Sequence, residues 1–565
     1  MRIYWIKIFF LIFFFAIILR LFYWQIIKAQ FLQAQAEGQY LVDAKLSALR
    51  GNIFFSDGSM LASSNPTFRI FGLPKAIPDS QKLNLSYILA KVLTEDGEID
   101  ILAKDILDKL SKPLYWVLLE KGISLEMKKK IEDLKLPSIG FEQTSSRFYP
   151  EGSSSAHILG FVGSDAKGGN VGYFGLEGYY EGDLKGVEGQ FKLEQDALGS
   201  PILTGQFQTD DAKNGKDLIL NIDRSVQFIV EKALKAGLEK YGAKAASAVL
   251  MDPKTGGILA MASFPNYDPL KYFNFPKEYY KNPIVGESYE PGSTFKIFVM
   301  SAALNEDVVK SDTRCDICSG PISLGGFTIR TWDNKYFPNT TIKDVIIHSD
   351  NTGMVFTGEK LGLDKLYAYL ENFGLGKPTG VDLEDESAPN LRPKEQWRQI
   401  DLATTSFGQG IAVTAIQMVV AVSAIANGGN LMEPHVVKFI KDNSGSFEVK
   451  PKVLRQVIKE SSAKIMTEMM VKAVSEGEAK WARPKGFRIA GKTGTAQIPV
   501  AGHYDPDKTI ASFVGFAPAD DPKFVMLVRY DQPQSSIFGS ETAAPTFFEI
   551  AKELFNYYKI APTEL

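Results

Sequence analysis

The hydrophobic pattern divides this chain into regions. From Trp5 to Ile27 nearly every position is apolar, and Ile8 to Leu19 is an unbroken run. About 20 apolar residues span a bilayer as a helix, so 1–28 reads as a short tail and a single transmembrane anchor. A polar connection, Gln30 to Lys45, follows. From Leu83 to Leu134 apolar residues recur at helical spacing with Lys, Asp and Glu between them, which predicts amphipathic helices. Gly160 to Gly189 is dense in glycine and aromatic residues, a pattern of turns and irregular backbone. The polar stretch Thr209 to Lys216 marks a domain boundary. Beyond it, Ser225 to Lys240 reads as a helix. Two short apolar runs, Ala246 to Met251 and Gly257 to Ser263, flank the turn sequence Asp252-Pro253-Lys254-Thr255-Gly256 and predict a β-hairpin. A similar pair, Ser512 to Ala517 and Phe524 to Arg529, lies near the C-terminus. Phe487 to Ala490 reads as one more strand, leading into Lys492. Residues 290–480 are mostly helical in pattern. The economical assembly is a multidomain α/β (α+β) protein: 1–28, the anchor; 29–216, a mixed α/β domain; 217–565, an antiparallel sheet packed against helices.

Composition narrows the function. The chain has 565 residues, 45% hydrophobic and 23% charged, with a net charge of −3. That balance gives no bulk-charge basis for nucleic-acid binding. The four histidines, His157, His348, His435 and His503, are scattered and show no metal-ligand spacing, which gives a metalloenzyme little support. Arg2 and Lys7 precede the main apolar run, which places the N-terminus in the cytoplasm and the rest outside. A cleaved signal peptide is the competing reading, with Ala34-Gln35-Ala36 as its site. The length of the apolar stretch and the intervening Arg20 and Lys28 favour an uncleaved anchor. Cys315 and Cys318 form a lone C-x-x-C, read as a loop staple or two unpaired thiols.

Three short motifs carry candidate chemistry. Pro291-Gly292 breaks structure before Ser293-Thr294-Phe295-Lys296, and Thr294 to Leu304 reads as an apolar helix. Ser293 is therefore expected at a helix N-terminus, where unpaired backbone N–H groups favour negative charge. Lys296 lies one turn along on the same face. A serine hydroxyl needs a neighbouring base, and a buried lysine of depressed pKa supplies one. Ser349-Asp350-Asn351 offers a second hydroxyl and a carboxamide; alone it would read as a helix cap. Lys492-Thr493-Gly494-Thr495, expected at the end of a strand, offers donors for a carboxylate and two glycine-opened positions beside Lys492. An extended peptide could pair along that strand, with backbone N–H groups near Ser293 and Thr495 as an oxyanion hole.

The ordered set resembles the signature shared by penicillin-binding proteins and class A β-lactamases. The similarity extends to Tyr289-Glu290-Pro291-Gly292, Asn282-Pro283, Phe373-Gly374-Leu375-Gly376, Ser406-Phe407-Gly408-Gln409-Gly410 and Phe513-Val514-Gly515-Phe516-Ala517-Pro518. In the N-terminal half, Arg50-Gly51-Asn52-Ile53-Phe54, Arg147-Phe148-Tyr149-Pro150 and Gly175-Leu176-Glu177-Gly178 resemble the pedestal, or dimerisation-type, domain of class B penicillin-binding proteins. Phe55-Ser56-Asp57-Gly58 departs from the Asp-Arg-Asn-Gly run usual there.

The resemblance implies a C-terminal penicillin-binding domain with a five-stranded antiparallel sheet. It also implies a D,D-transpeptidase cross-linking peptidoglycan stem peptides in the bacterial cell membrane, with β-lactams as covalent inhibitors. By motif, Ser293 is the acylated nucleophile and Lys296 its base, Ser349 relays protons and Asn351 holds the donor. Lys492, Thr493, Gly494 and Thr495 form the carboxylate pocket, with Lys492 counted among the catalytic groups. A polytopic glycan polymerase and other wall-synthesis proteins are the implied partners. Moderate length and a compact pedestal lean towards division rather than elongation. A D,D-carboxypeptidase would use the same groups with water as acceptor. A β-lactamase would be a single soluble domain, and a non-catalytic wall-synthesis scaffold is a further alternative, though a scaffold role can coexist with catalysis. The resemblance implies no metal or organic cofactor.

Overall fold

A computed structural model of the chain describes residues 2–30, 32, 41–94, 98–166, 169–194, 208–500 and 503–563. The Ala34-Gln35-Ala36 segment lies outside these described residues. The apolar stretch forms the helix Arg2–Phe22, continued by a wider helical turn at Tyr23–Ile27. Together they are long and apolar enough to cross a membrane.

The chain packs as two compact units, each assembled from separated segments. The first holds residues 1–50, 64–146 and 185–215; the second holds 51–63, 147–184 and 216–565. Two segments that the sequence pattern groups with the N-terminal half, 51–63 and 147–184, thus belong to the second unit.

In the first unit, helices Asp79–Leu93 and Ile99–Leu110 pack on each other. Their apolar faces bury Leu85, Leu89, Ile106 and Leu110 together with Ile70 and Leu119. The helical reading of 83–134 fails at Val117–Ile123. That segment is a strand, paired antiparallel with Phe68–Gly72. Val117 and Leu119 are buried while Leu118 and Glu120 are not, which is the period-2 alternation of a half-buried strand. Only a few residues carry it, so the helical spacing on either side masks it. The following helix, Leu125–Asp133, begins where the Ser124 hydroxyl accepts the Met127 N–H at 3.1 Å, an N-cap of the usual kind.

The second unit is built on a five-stranded antiparallel sheet. Its order is Ile258–Phe264, Ala245–Met251, Phe524–Asp531, His503–Ala517, Ala490–Val500. The predicted hairpin at its start is present. Asp252 closes the turn by accepting from the Lys254 N–H at 2.9 Å and the Thr255 hydroxyl at 2.8 Å, the local bonding that makes Asp a turn residue. Alternation along the inner strands serves two cores at once. Ala246, Ala248, Leu250, Met526 and Val528 pack beneath helices Arg224–Tyr241 and Ala543–Tyr557. Val249, Met251, Val525 and Leu527 face the opposite core, with helices Lys296–Asn305, Ala415–Ala426 and Glu460–Glu476. Both faces are covered, so these strands read as nearly continuous apolar runs.

The middle of the unit is helical, as its pattern predicts, with short hairpins set into it. One of them, Ile322–Leu324 with Phe327–Ile329, lies close after Cys315 and Cys318, which are joined as a disulfide. Three sequence-distant segments meet elsewhere in the same unit. The Arg147 Nε donates to Glu177 Oε1 at 2.6 Å, and its Nη1 donates to the Gly51 carbonyl at 2.7 Å.

Candidate active site

Gly292 and Gly408 together set the position of Ser293. Gly292 has φ +56° and its N–H donates to the Gly408 carbonyl at 3.1 Å. Ser293 itself lies in a 3₁₀ turn, Gly292–Phe295, and the α-helix begins only at Lys296. Ser293 thus enters the helix through a 3₁₀ turn, one turn ahead of the α-helix itself. The left-handed Gly292 and the Thr294 hydroxyl, bonded back to the Pro291 carbonyl at 2.8 Å, tighten the entry by one turn. Gly408 has φ +87°, and a Cβ there would sit 2.0 Å from the Gly292 carbonyl oxygen and 2.8 Å from Phe295 Cβ. Gly408→Ala is therefore expected to displace the serine-bearing turn. Misplacement by about 1 Å costs roughly 100-fold in rate, so stopped-flow acylation should slow by about that factor while the modified residue stays the same. An unchanged rate would show that the turn absorbs the methyl group elsewhere.

Lys296 lies at the start of a helix buried on every side, and is itself 0% exposed. Its Nζ donates to the Ser349 carbonyl at 2.5 Å, to Ser349 Oγ at 3.2 Å and to Asn351 Oδ1 at 2.8 Å. The Lys296 pKa lies well below 10.5, first because burial penalises the charge and then because the Lys492 ammonium repels it; Asp350 and Glu478 oppose the shift. Both causes are of the kind that produce a lysine base.

The Ser349-Asp350-Asn351 segment joins helices Ile342–Ile347 and Asn351–Leu361. Ser349 takes the left-handed conformation, φ +58°, uncommon for a residue with a side chain. Asp350 is a helix cap, accepting from the Thr352 and Gly353 N–H groups at 2.7 and 3.2 Å. The capping reading holds for Asp350, whereas Ser349 and Asn351 carry the bonds to Lys296. Capping by Asp350 fixes the turn that brings Ser349 and Asn351 onto Lys296. The Asn351 amide is held from behind, its Nδ2 donating to the Arg330 carbonyl at 2.8 Å.

Lys492, Thr493, Gly494 and Thr495 lie within the edge strand Ala490–Val500, not at its end, and Phe487 to Ile489 precede it. Among the described residues, the strand pairs on one side only, with His503–Ala517. Lys492 is 2% exposed, and its Nζ donates to Thr493 Oγ1 at 3.1 Å. Burial lowers its pKa, with Glu478 opposing. Thr495 Oγ1 accepts from the Gly539 N–H at 3.1 Å. A Cβ at Gly494 would stand 2.8 Å from Thr294 Cγ2 and 3.0 Å from the Pro291 carbonyl oxygen, so glycine lets this strand approach the serine turn.

These elements enclose a cleft of about 660 Å³. Ser293, Ser349, Asn351, Thr493 and Thr495 line it; Lys296 and Lys492 are buried behind its wall, and Gly494 supports it without lining it. Trp332 and Phe538 meet edge to face at 5.7 Å and form an aromatic wall. Arg330 and Glu478 also line the cleft, and neither carries a sequence signal. Among the described residues, no group of three or more His, Cys, Asp or Glu side chains is placed to hold a metal.

Comparison with known proteins identifies two domains. Residues 246–553 match the penicillin binding protein transpeptidase domain, and 45–220 match the penicillin-binding protein dimerisation domain. The chain is 36% identical over 562 residues to stage V sporulation protein D of Bacillus subtilis, covering 98% of this chain and 85% of that one. It is 30% identical over 550 residues to the peptidoglycan D,D-transpeptidase FtsI of Escherichia coli, covering 96% and 89%. The solved structure of penicillin binding protein 3 from Mycobacterium tuberculosis, complexed with ampicillin, superimposes with a TM-score of 0.70 at 26% identity, over 92% of this chain and 97% of that one.

Proposed function

The chain belongs to the penicillin-binding protein transpeptidases, and from that premise we propose that it is a membrane-anchored peptidoglycan D,D-transpeptidase acting through an acyl-enzyme on Ser293. The observation that carries this reading is the buried Lys296, held against Ser349 and Asn351 behind the serine turn in an open cleft. Neutral Lys296 takes the Ser293 proton as Oγ attacks the carbonyl of the donor's penultimate D-alanine. The C–O bond forms, and negative charge gathers on the carbonyl oxygen, facing the N–H groups of Ser293 and Thr495. The C–N bond then breaks, and terminal D-alanine leaves with a proton returned through Ser349. Ser349 suits this relay. Of the three groups bonded to Lys296 Nζ, only its hydroxyl has a proton of its own and can reverse from acceptor to donor. An amine on a neighbouring stem peptide attacks the ester, releases Ser293 and completes the cross-link.

In this reading, Lys492, Thr493 and Thr495 form the pocket for the donor's terminal carboxylate, and the Asn351 carboxamide holds its peptide amide. A donor lying along the edge strand finds unpaired backbone groups there. A β-lactam enters as a substrate mimic. Its ring amide opens onto Ser293, but the leaving nitrogen stays tethered, so the ester persists.

The apolar helix would anchor the protein with its N-terminus in the cytoplasm and the residues that follow it outside, facing the wall polymer. A polytopic glycan polymerase would pack against that anchor and the first unit. The compact pedestal and moderate length favour septal wall synthesis over elongation.

The test is intact-mass and peptide mapping of the purified protein after exposure to a fluorescent penicillin. A single stable adduct on the Ser293 peptide is expected. Rapid turnover of the drug would make the protein a β-lactamase, and an adduct elsewhere would remove Ser293 from its role. The same fluorophore in growing cells should mark the septum; label along the side wall assigns elongation.

A further inference from the structure

The carboxylate pocket contains a carboxylate of its own. Glu478 follows helix Glu460–Glu476 after Gly477 and reaches the cleft wall beside Thr493, Thr495, Trp332 and Phe538. Its Oε2 accepts from Thr493 Oγ1 at 3.2 Å. Thr493 Oγ1 in turn accepts from Lys492 Nζ at 3.1 Å. A hydroxyl has a single proton. That of Thr493 is given to Glu478 and is not directed at an incoming ligand. The negative charge of Glu478 also reaches both buried lysines, since it opposes the lowering of their pKa values.

We propose that Glu478 is a selectivity residue of this pocket: it weakens ligands whose only charge there is negative and favours ligands carrying a cation next to their carboxylate. The proposal rests on the reading of Lys492, Thr493 and Thr495 as the carboxylate site. Two effects act together. A second carboxylate brought near Glu478 meets like-charge repulsion in a partly desolvated cleft, where such juxtaposition is costly. It also finds one fewer free donor, because the Thr493 proton is already bonded. A zwitterionic ligand escapes most of the first effect, since its own cation offsets the repulsion between its carboxylate and Glu478.

The test uses two cephalosporins with the same acyl side chain. Cefotaxime has a neutral group beside its carboxylate; cefepime has a quaternary ammonium there. Second-order acylation rates of the full-length protein are measured by competition with a fluorescent penicillin, for wild type, Glu478→Gln and Glu478→Thr. Removing the charge is expected to speed cefotaxime by about tenfold. Cefepime should change by less than about threefold, so the cefepime-to-cefotaxime ratio falls. A merely structural Glu478 would move both drugs alike, and an unchanged ratio in both variants overturns the proposal. Failure of both drugs to acylate wild type removes the acyl-enzyme reading and this inference with it; acylation with an unchanged ratio removes this inference alone.

Discussion

Lys296→Met should slow acylation by penicillin at least about 10³-fold. Positioned proton transfer contributes about 10² to 10⁴, and no other group bonded to this network can accept a proton as readily. Ser349 and Asn351 are both bonded to Lys296 Nζ, so losing the amine leaves the relay without its base. Lys296→Arg separates base from charge. A guanidinium keeps the cation but cannot deprotonate, so it should fail as badly as methionine. Retained acylation in the arginine variant would mean that the positive charge, not proton acceptance, is what the site needs. The pH profile gives an independent readout. Only the neutral amine accepts the Ser293 proton, so acylation should rise with pH and level off above the Lys296 pKa. Because that pKa lies well below 10.5, the plateau should be reached below that value. A rate still rising through pH 10.5 would contradict the burial argument.

Glu177→Ala should cost about 3–5 kcal/mol of folding stability, the usual penalty for leaving one partner of a buried ion pair alone. The side chains of Arg147 and Glu177 are only 4% and 0% exposed. Arg147 cannot lose its charge, so removing Glu177 takes the carboxylate away from a buried cation. The same guanidinium holds the Gly51 carbonyl, so the loss also loosens the link between two segments far apart in sequence. Urea unfolding of the purified protein measures the effect. A loss below about 1 kcal/mol would mean that Arg147 finds water or another acceptor.

Much of the site was legible because its chemistry is local. The serine-lysine pair lies within one turn, and Ser349 and Asn351 flank a helix cap that any reader of turn residues would place. The two hairpins at the ends of 217–565 were legible from alternation and turn sequence, and they supply four of the five sheet strands. Other features depend on packing that no short window contains. The Val117–Ile123 strand has too few alternating positions to stand out from flanking helices. The left-handed turn at Ser349 is imposed by the helices it joins. Glu478 is one of two acids in the short stretch Glu476-Gly477-Glu478, and only the fold places it against the Thr493 hydroxyl. The expected strand at Phe487 began later, because pairing with His503–Ala517 starts at Ala490.

The second unit also constrains the order in which the chain can be completed. Ile53 and Phe54 pair in parallel with Leu218 and Ile219, and those in turn pair with Val437 to Lys441. During vectorial synthesis the N-terminal strand must therefore wait, partly unpaired, through some 160 residues before its neighbour emerges, and longer before the next one does. The first unit can close sooner, since its last segment ends at residue 215. A fragment begun at residue 216 would lack Ile53, Phe54 and the Arg147–Glu177 pair, leaving one side of the Asp217–Leu220 strand open to association. The catalytic half of this protein is consequently not a detachable module, and truncation is a poor route to an isolated enzyme.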